Sequence, residues 1–315
     1  MTRRGGGRGS KQEWRVARPT LVMEAQADPV GGGKQEEAGR RIGGREERSW
    51  DRPRTLLGHL RRLRDYGELA RSLTLKEVRV RYKQSVLGAG WAVLQPFALM
   101  VIFTAVFSRF LHVKSEGVPY PVFSYVALVP WTFFSSAIGQ GVPSIVSNMS
   151  LVTKIYFPRE IFQLATIGAC FVDFSIAATI VAALIIWYKV GITWTVLLVP
   201  LLVLLQAIVA VGVVLIASAI NVFFRDIRFV VPLATQMWMY VSPVVYPLSD
   251  VPARFRPYYM LNPMAGILDG YRRVVLHGQL PDWSALGVTT AVSLALLVGG
   301  YAFFKRVEMK FADII

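Results

Sequence analysis

Cysteine is almost missing from this chain: Cys170 is the only one in 315 residues. A single thiol closes no internal disulfide and builds no cysteine metal cluster. Set in an apolar run, it reads as a small buried hydrophobe. Histidine is scarce as well. His59, His112 and His277 stand in separate loops with no ligand-like spacing. The sequence contains no G-x-S-x-G, H-E-x-x-H or C-x-x-C pattern, so the familiar hydrolytic, zinc and thiol-redox constellations have no foothold. Gly33-Lys34 is followed by Gln35 where a phosphate-binding loop needs Ser or Thr, and no apolar strand precedes it. No catalytic residue, no metal ligand and no cofactor on this chain are therefore expected. Charge is thin too, at 17% of residues, against about 25% in an ordinary soluble domain.

What the chain has in place of charge is apolar length. Hydrophobic residues make up 54% and mean hydropathy is +0.44. The stretch Arg81-Tyr82-Lys83-Gln84-Ser85-Val86-Leu87-Gly88-Ala89-Gly90-Trp91-Ala92-Val93-Leu94-Gln95-Pro96 divides it. Before this boundary the sequence is polar, glycine-rich and basic; after it the sequence is mostly apolar. A basic cluster running into a long apolar segment marks the cytoplasmic edge of a membrane, with Trp91 placed one turn inside at headgroup depth. Net charge is +15 with a pI near 10.2. Without an RNA-reading aromatic motif, that excess reads as cytoplasmic loops facing anionic lipid and not as a nucleic-acid surface.

Residues 1–60 carry Gly5-Gly6-Gly7 and Gly31-Gly32-Gly33, many arginines and few aliphatics. They read as a disordered basic extension, and the lack of an apolar core rules out a signal peptide. Residues 66–86 suit a cytoplasmic amphipathic interface helix. Tyr66, Leu69, Leu73 and Val80 fall on one face, Lys76, Arg79 and Lys83 form a basic stripe, and Leu75, Val78 and Tyr82 make a second apolar patch. Residues 88–315 form an all-α membrane domain. Six spans are predicted near 88–111, 122–146, 161–187, 194–221, 228–247 and 284–304, each long enough for about 30 Å of hydrocarbon. The fifth is the shortest and contains Pro243 and Pro247. Six crossings put both termini on one side, which the basic N-terminal region fixes as cytoplasmic.

Three features stand out in this frame. The inner loop Ser147-Asn148-Met149-Ser150-Leu151-Val152-Thr153-Lys154-Ile155-Tyr156-Phe157-Pro158-Arg159-Glu160 holds about two turns of helix and presents Leu151, Ile155, Tyr156 and Phe157 where water should be. Such a patch fits either a protein docking site or a loop half-buried at the interface. The outer segment 248–283 is too apolar for a free loop and too short to span, so two short re-entrant helices are expected there. Asp173 is the acid at mid-span. It is either a functional intramembrane carboxylate or a group facing the bundle and bonded to Ser175 or a neighbouring helix.

The boundary motif Arg81-Tyr82-Lys83-Gln84-Ser85-x-Leu87-Gly88-x-x-Trp91-x-x-Leu94-x-Pro96 resembles that of ABC transporter permeases of the type-2 exporter class. The resemblance is to the branch that exports lipid-linked polysaccharides such as O-antigen, capsule and teichoic acid. Four further stretches agree in order: residues 154–160, the Asn221-Val222-Phe223-Phe224-Arg225-Asp226-Ile227 turn, Leu261-Asn262-Pro263, and the tail 308–315. The resemblance covers about 66–315.

It implies a homodimer of six-span permeases in the bacterial plasma membrane, bound to two cytosolic ATPase subunits that hold the ATP and magnesium. Lys76, Arg79, Arg81, Tyr82 and Lys83 would belong to the interface, or gate, helix. Ser150, Leu151, Lys154, Ile155, Tyr156, Phe157 and Arg159 would form the main ATPase-coupling element, with Arg225 and Asp226 as a second contact. Tyr258, Asn262, Asp269, Arg272 and Arg273 would lie in the outer re-entrant region. The cargo would be a lipid-linked glycan surrounded by membrane lipid.

Aromatic side chains are expected along such a path, because a sugar's C–H face stacks on a ring without demanding one hydrogen-bond pattern. Phe97, Trp131, Phe134, Trp238 and Tyr240 are the candidates, and interface anchoring or core filling is the alternative for each. Competing readings are a type-2 permease for a drug or small lipid, a secondary transporter, and a membrane glycosyltransferase. A secondary transporter needs an internal repeat and paired midplane charges, and a glycosyltransferase needs acidic clusters. Asp250, Asp269 and Asp282 are spread out and balanced by arginines.

Overall fold

A computed structural model of the chain describes residues 66–83, 85–154 and 157–311. The predicted basic extension 1–60 lies outside these residues. Among them there is no strand; every regular element is helical. Helix α1 is Gly67–Tyr82, α2 is Gly90–Phe103 and α3 is Tyr120–Gly141. Two short helices follow, α4 (Ser144–Ser147) and α5 (Met149–Lys154), and then α6, Glu160–Trp187. Next come α7 (Val199–Phe223) and α8 (Ile227–Val241). The single turn α9 (Arg256–Tyr259) precedes α10 (Pro263–Leu276), and α11 is Trp283–Glu308.

Five of these segments are long and apolar enough to cross a membrane. They are α2 with its wider π-helical continuation to Phe110, α3, α6, α7 with the 3-10 turn leading into it, and α11. They match five of the six predicted spans to within a few residues. The second span ends at Gly141, short of the predicted 146, because a break there gives way to α4.

The predicted span 228–247 is different. Its helix α8 stops at Val241. Fifteen residues at 1.5 Å each reach only about 22 Å. The cause is Pro243, which pushes Ser242 into extended backbone (φ −103°, ψ 150°). The carbonyls released by this break are collected one by one. The Ser242 hydroxyl donates to Trp238 O at 2.9 Å, the Tyr246 hydroxyl to Tyr240 O at 3.0 Å, and the Tyr120 hydroxyl to Val245 O at 2.7 Å. Arg272 donates to Val244 O at 2.7 Å and to Tyr246 O at 2.9 Å.

α3 lies at the centre, buried along nearly its whole length against α2, α6, α7 and α10. α7 and α11 approach closely because neither has a side chain at the crossing. A Cβ placed on Gly212 would stand 2.8 Å from the backbone of Leu296, and one on Gly300 would stand 2.6 Å from Gly212 O. Small residues that bring backbones together are the usual means of packing helices in lipid, where no water-driven force holds them. α10 is buried on almost every face and wedges between α7 and α11, with Gly270 against Leu202 and Gly266 against Thr289. Its start is fixed by Asn262, whose side chain accepts from Met264 N at 3.1 Å, followed by Pro263 at the first helical position.

Candidate functional site

α1 runs alongside the first half of α6 in the same direction. Tyr66, Leu69, Ala70 and Leu73 pack on Phe157, Ile161 and Phe162. Thr74 then meets Gly168, where an added Cβ would come within 3.1 Å of its hydroxyl. Beyond that, Arg81 and Tyr82 reach Asp173. The packed face therefore includes polar residues that an apolar count overlooks. Val80, placed on that face by periodicity, is 62% exposed; Arg81 takes its place because Asp173 offers it a partner. The basic stripe of Lys76, Arg79 and Lys83 is exposed as expected.

Asp173 is thus bonded to a neighbouring helix, one of the two readings open from sequence. Its carboxylate receives both the Arg81 guanidinium and the Tyr82 hydroxyl, while Ser175 donates to its own helix at Phe171 O. Arg81 also donates to Gln140 of α3 and lies 3.8 Å from the Cys170 sulfur. The Tyr82 hydroxyl is pushed up to about 12 by burial and by its bond to Asp173, so it remains a donor across the physiological range. One end of α1 is in this way tied to α3 and α6 together. A charged helix flanking α6 as far as Asp173 places that carboxylate level with the end of α1.

The turn that follows reverses the chain into α2. Gly88 sits at φ +50°, the left-handed region that glycine enters freely, and its N–H meets the Ser85 hydroxyl at 3.2 Å. Between this turn, α1, α2, α3 and α6 lies a cavity of about 250 Å³. Arg81, Tyr82, Ser85, Gly88, Trp91 and Pro96 of the boundary motif all line it. Gln140 gave no signal in the sequence beyond being a polar residue inside an apolar run, and nothing there joined Arg81 to Asp173.

The loop before α6, predicted to be an inner loop, is anchored on both sides. Leu151 packs toward the α1 cluster and Phe157 is buried in it. Lys154 closes α5; Ile155 and Tyr156 lie outside the described residues. Ser150 lies within α5. The loop is bridged to α1 where Lys76 Nζ donates to Asn148 Oδ1 at 3.4 Å. Arg159, expected in the coupling element, makes its contacts within the chain. It donates to Glu308 O at 3.0 Å and lies over the Phe311 ring. Beside it, buried Glu160 meets Lys305, which also reaches Glu308, each at 2.8 Å. Arg225 and Asp226 form an exposed turn between α7 and α8, next to exposed Phe224.

The residues expected in the outer re-entrant region are brought together in part. Asn262 accepts the Trp238 indole N–H at 2.9 Å and donates to the Ser242 hydroxyl at 2.9 Å. Arg273 pairs with Asp269 one turn away at 2.7 Å. Arg272 is buried with its guanidinium over the Phe123 ring, whereas Tyr258 is 74% exposed. Of the five path aromatics, Trp131, Phe134 and Trp238 form a row with ring centroids 5.6 and 5.1 Å apart. Trp131 and Phe134 are buried within the protomer. Phe97 and Tyr240 are exposed and stand apart from that row.

Comparison with known proteins agrees with this architecture. The sequence profile of the family described as ABC-2 type transporter matches residues 68–276. The O-antigen export system permease protein RfbA of Myxococcus xanthus is 31% identical over 259 residues, covering 81% of this chain and 98% of that protein. RfbA of Klebsiella pneumoniae is 27% identical over 245 residues, covering 77% and 93%. The polysialic acid transport protein KpsM of Escherichia coli is 25% identical over 249 residues, covering 75% and 92%. With a helical bundle of five membrane-length helices and a profile match over most of its length, the chain belongs to the ABC-2 type transporter family.

Proposed function

We propose that this chain is the permease subunit of an ABC exporter that carries a lipid-linked polysaccharide across the bacterial plasma membrane. ATP and magnesium are held by a separate cytosolic ATPase. The observation that carries this reading is the similarity to O-antigen export permeases and to a polysialic acid transport protein over nine-tenths or more of their lengths. The sequence itself has no phosphate-binding loop, which fits a permease that borrows its ATPase. In this reading α8 and residues 242–247 complete a sixth crossing, and α9 and α10 turn back from the outer side. Both termini are cytoplasmic. Two copies of the chain pair with two ATPases, which dock on the loop around α5 and on the Arg225–Asp226 turn. α1 is the interface helix that couples docking to the spans.

Deleting the gene in its own bacterium should leave the polymer inside the cell and strip it from the surface, and restoring the gene should reverse both. Unchanged surface polymer in the deletion strain would overturn the polysaccharide assignment and leave drug or small-lipid export as the reading to test. The pure chain should hydrolyse no nucleotide; hydrolysis should appear only with the partner ATPase.

A further inference from the structure

The cavity at the boundary motif has the make-up of a site for a neutral polyhydroxylated ring. Its donors are the Arg81 N–H groups not turned to Asp173 and Gln140, and the amides of Gln95 and Gln140; its acceptors are Asp173, the Gln95 amide, the Ser136 hydroxyl and the Tyr82 oxygen, whose own proton goes to Asp173. A sugar hydroxyl both donates and accepts, so it needs such a mixed lining. Exposed Trp91 adds a ring for a sugar's C–H face. Charge argues against an anion. Arg81 is the cationic side chain of the lining, and Asp173 neutralises it. Size argues for a single unit, because about 250 Å³ falls below the roughly 300–1,000 Å³ of sites for drug-sized ligands. Position argues for substrate: the cavity opens where the basic helix α1 meets the first span.

We propose that this cavity is a sugar subsite holding one ring of the glycan at the cytoplasmic edge of the protomer. The proposal rests on the polysaccharide-export reading and adds a binding position to it. All the walls come from one protomer, so the subsite needs no second copy to form.

The test uses the full chain in detergent with Ser136→Cys in a Cys170→Ser background, and the rate at which a methanethiosulfonate reagent modifies the new thiol. Probes are methyl glycosides of common bacterial hexoses and the oligosaccharide released by mild acid from the cell's own lipid-linked polymer. A bound ring should slow modification by the factor one plus probe concentration over Kd, roughly tenfold at ten times Kd. Adding Trp91→Leu should abolish the protection. Thr132→Cys, on the same lining, serves if the first variant does not fold. No protection by any sugar probe overturns the subsite. So does protection by a polyprenyl phosphate alone, which would mean a headgroup site, or equal protection by an alkyl chain without a sugar. Surface polymer in the deletion strain is scored separately, so failure of the subsite and failure of the export reading give different results.

Discussion

The carbonyl oxygen of Gly212 on α7 fills the space that a Cβ on Gly300 of α11 would need, at 2.6 Å. Gly300→Ala must therefore drive two spans apart along backbone that cannot yield. The neighbouring Gly299 has nothing within 4 Å of the same position. Gly299→Ala should leave yield and thermal stability in detergent unchanged. Gly300→Ala should cost about 1–3 kcal/mol through overpacking and lower the melting temperature by several degrees. Equal behaviour of the two variants would show that the α7–α11 crossing is looser than described.

Arg272 and Arg273 adjoin in sequence and differ in work. Arg272 ties the broken end of α8 to α10 through two carbonyls and lies on the Phe123 ring. Arg273 pairs with Asp269 of its own helix at the edge of the core. A lysine offers one point charge where Arg272 uses a planar fork, so the substitution is not conservative there. Arg272→Lys should leave a carbonyl unsatisfied at a cost of about 1–3 kcal/mol. Arg273→Lys should fall within about 1 kcal/mol of wild type, as expected of a more exposed pair. Thermal unfolding of the two purified variants decides it.

Much of this architecture is legible in the sequence because membrane spans are read from composition and length alone. Span existence needs no partner, and α2, α3, α6, α7 and α11 fall where the apolar runs are. Side-chain bonds between distant positions are another matter. Ninety-two residues separate Arg81 from Asp173, and an apolar-face count assigns Val80 to the packed side because it gives no weight to a polar residue with a buried partner. Span 228–247 was visible as apolar length. Its early end at Val241 depends on Tyr120, Asn262 and Arg272 accepting the cost of a break at Pro243, and those donors lie far along the chain. The boundary motif was legible as a boundary, but only the folded chain shows its residues closing a cavity.

The triad of Arg81, Tyr82 and Asp173 carries a pH signature. The Tyr82 hydroxyl titrates near 12, above the ordinary value of about 10. A raised folded value favours the protonated form, so its contribution is complete below pH 10 and is lost as pH rises from 10 through 12. Tyr82→Phe should lower stability by about 1 kcal/mol at neutral pH, and the gap from wild type should close across that window. Arg81→Gln should cost more, because it leaves the half-buried carboxylate without its cation. The exchange Arg81→Asp with Asp173→Arg should recover part of that loss. Melting curves of the variants from pH 7 to 12 would show both effects, and a gap constant with pH would remove the Tyr82–Asp173 bond from the account.

The inner loop should separate into a half that holds the permease together and a half that meets the ATPase. Leu151 and Phe157 face the α1 cluster with Leu69, Leu73, Ile161 and Phe162. Truncating either creates a void between α1 and α6, so Leu151→Ala and Phe157→Ala should destabilise the permease by about 2–4 kcal/mol, with or without the ATPase. Ile155 and Tyr156 lie between these anchors in the sequence and belong to the proposed ATPase contact. Ile155→Asp and Tyr156→Asp should leave melting of the isolated permease unchanged and weaken the complex by about 2 kcal/mol or more, at least tenfold in Kd. Arg159→Ala should group with the first pair, since its bonds run to Glu308 and Phe311. Co-purification with the ATPase and melting of the permease alone, measured on all five variants, sort them. If the aspartate variants bind the ATPase as wild type does, docking passes to the exposed Phe224–Arg225–Asp226 turn. Phe224→Asp should then release the ATPase.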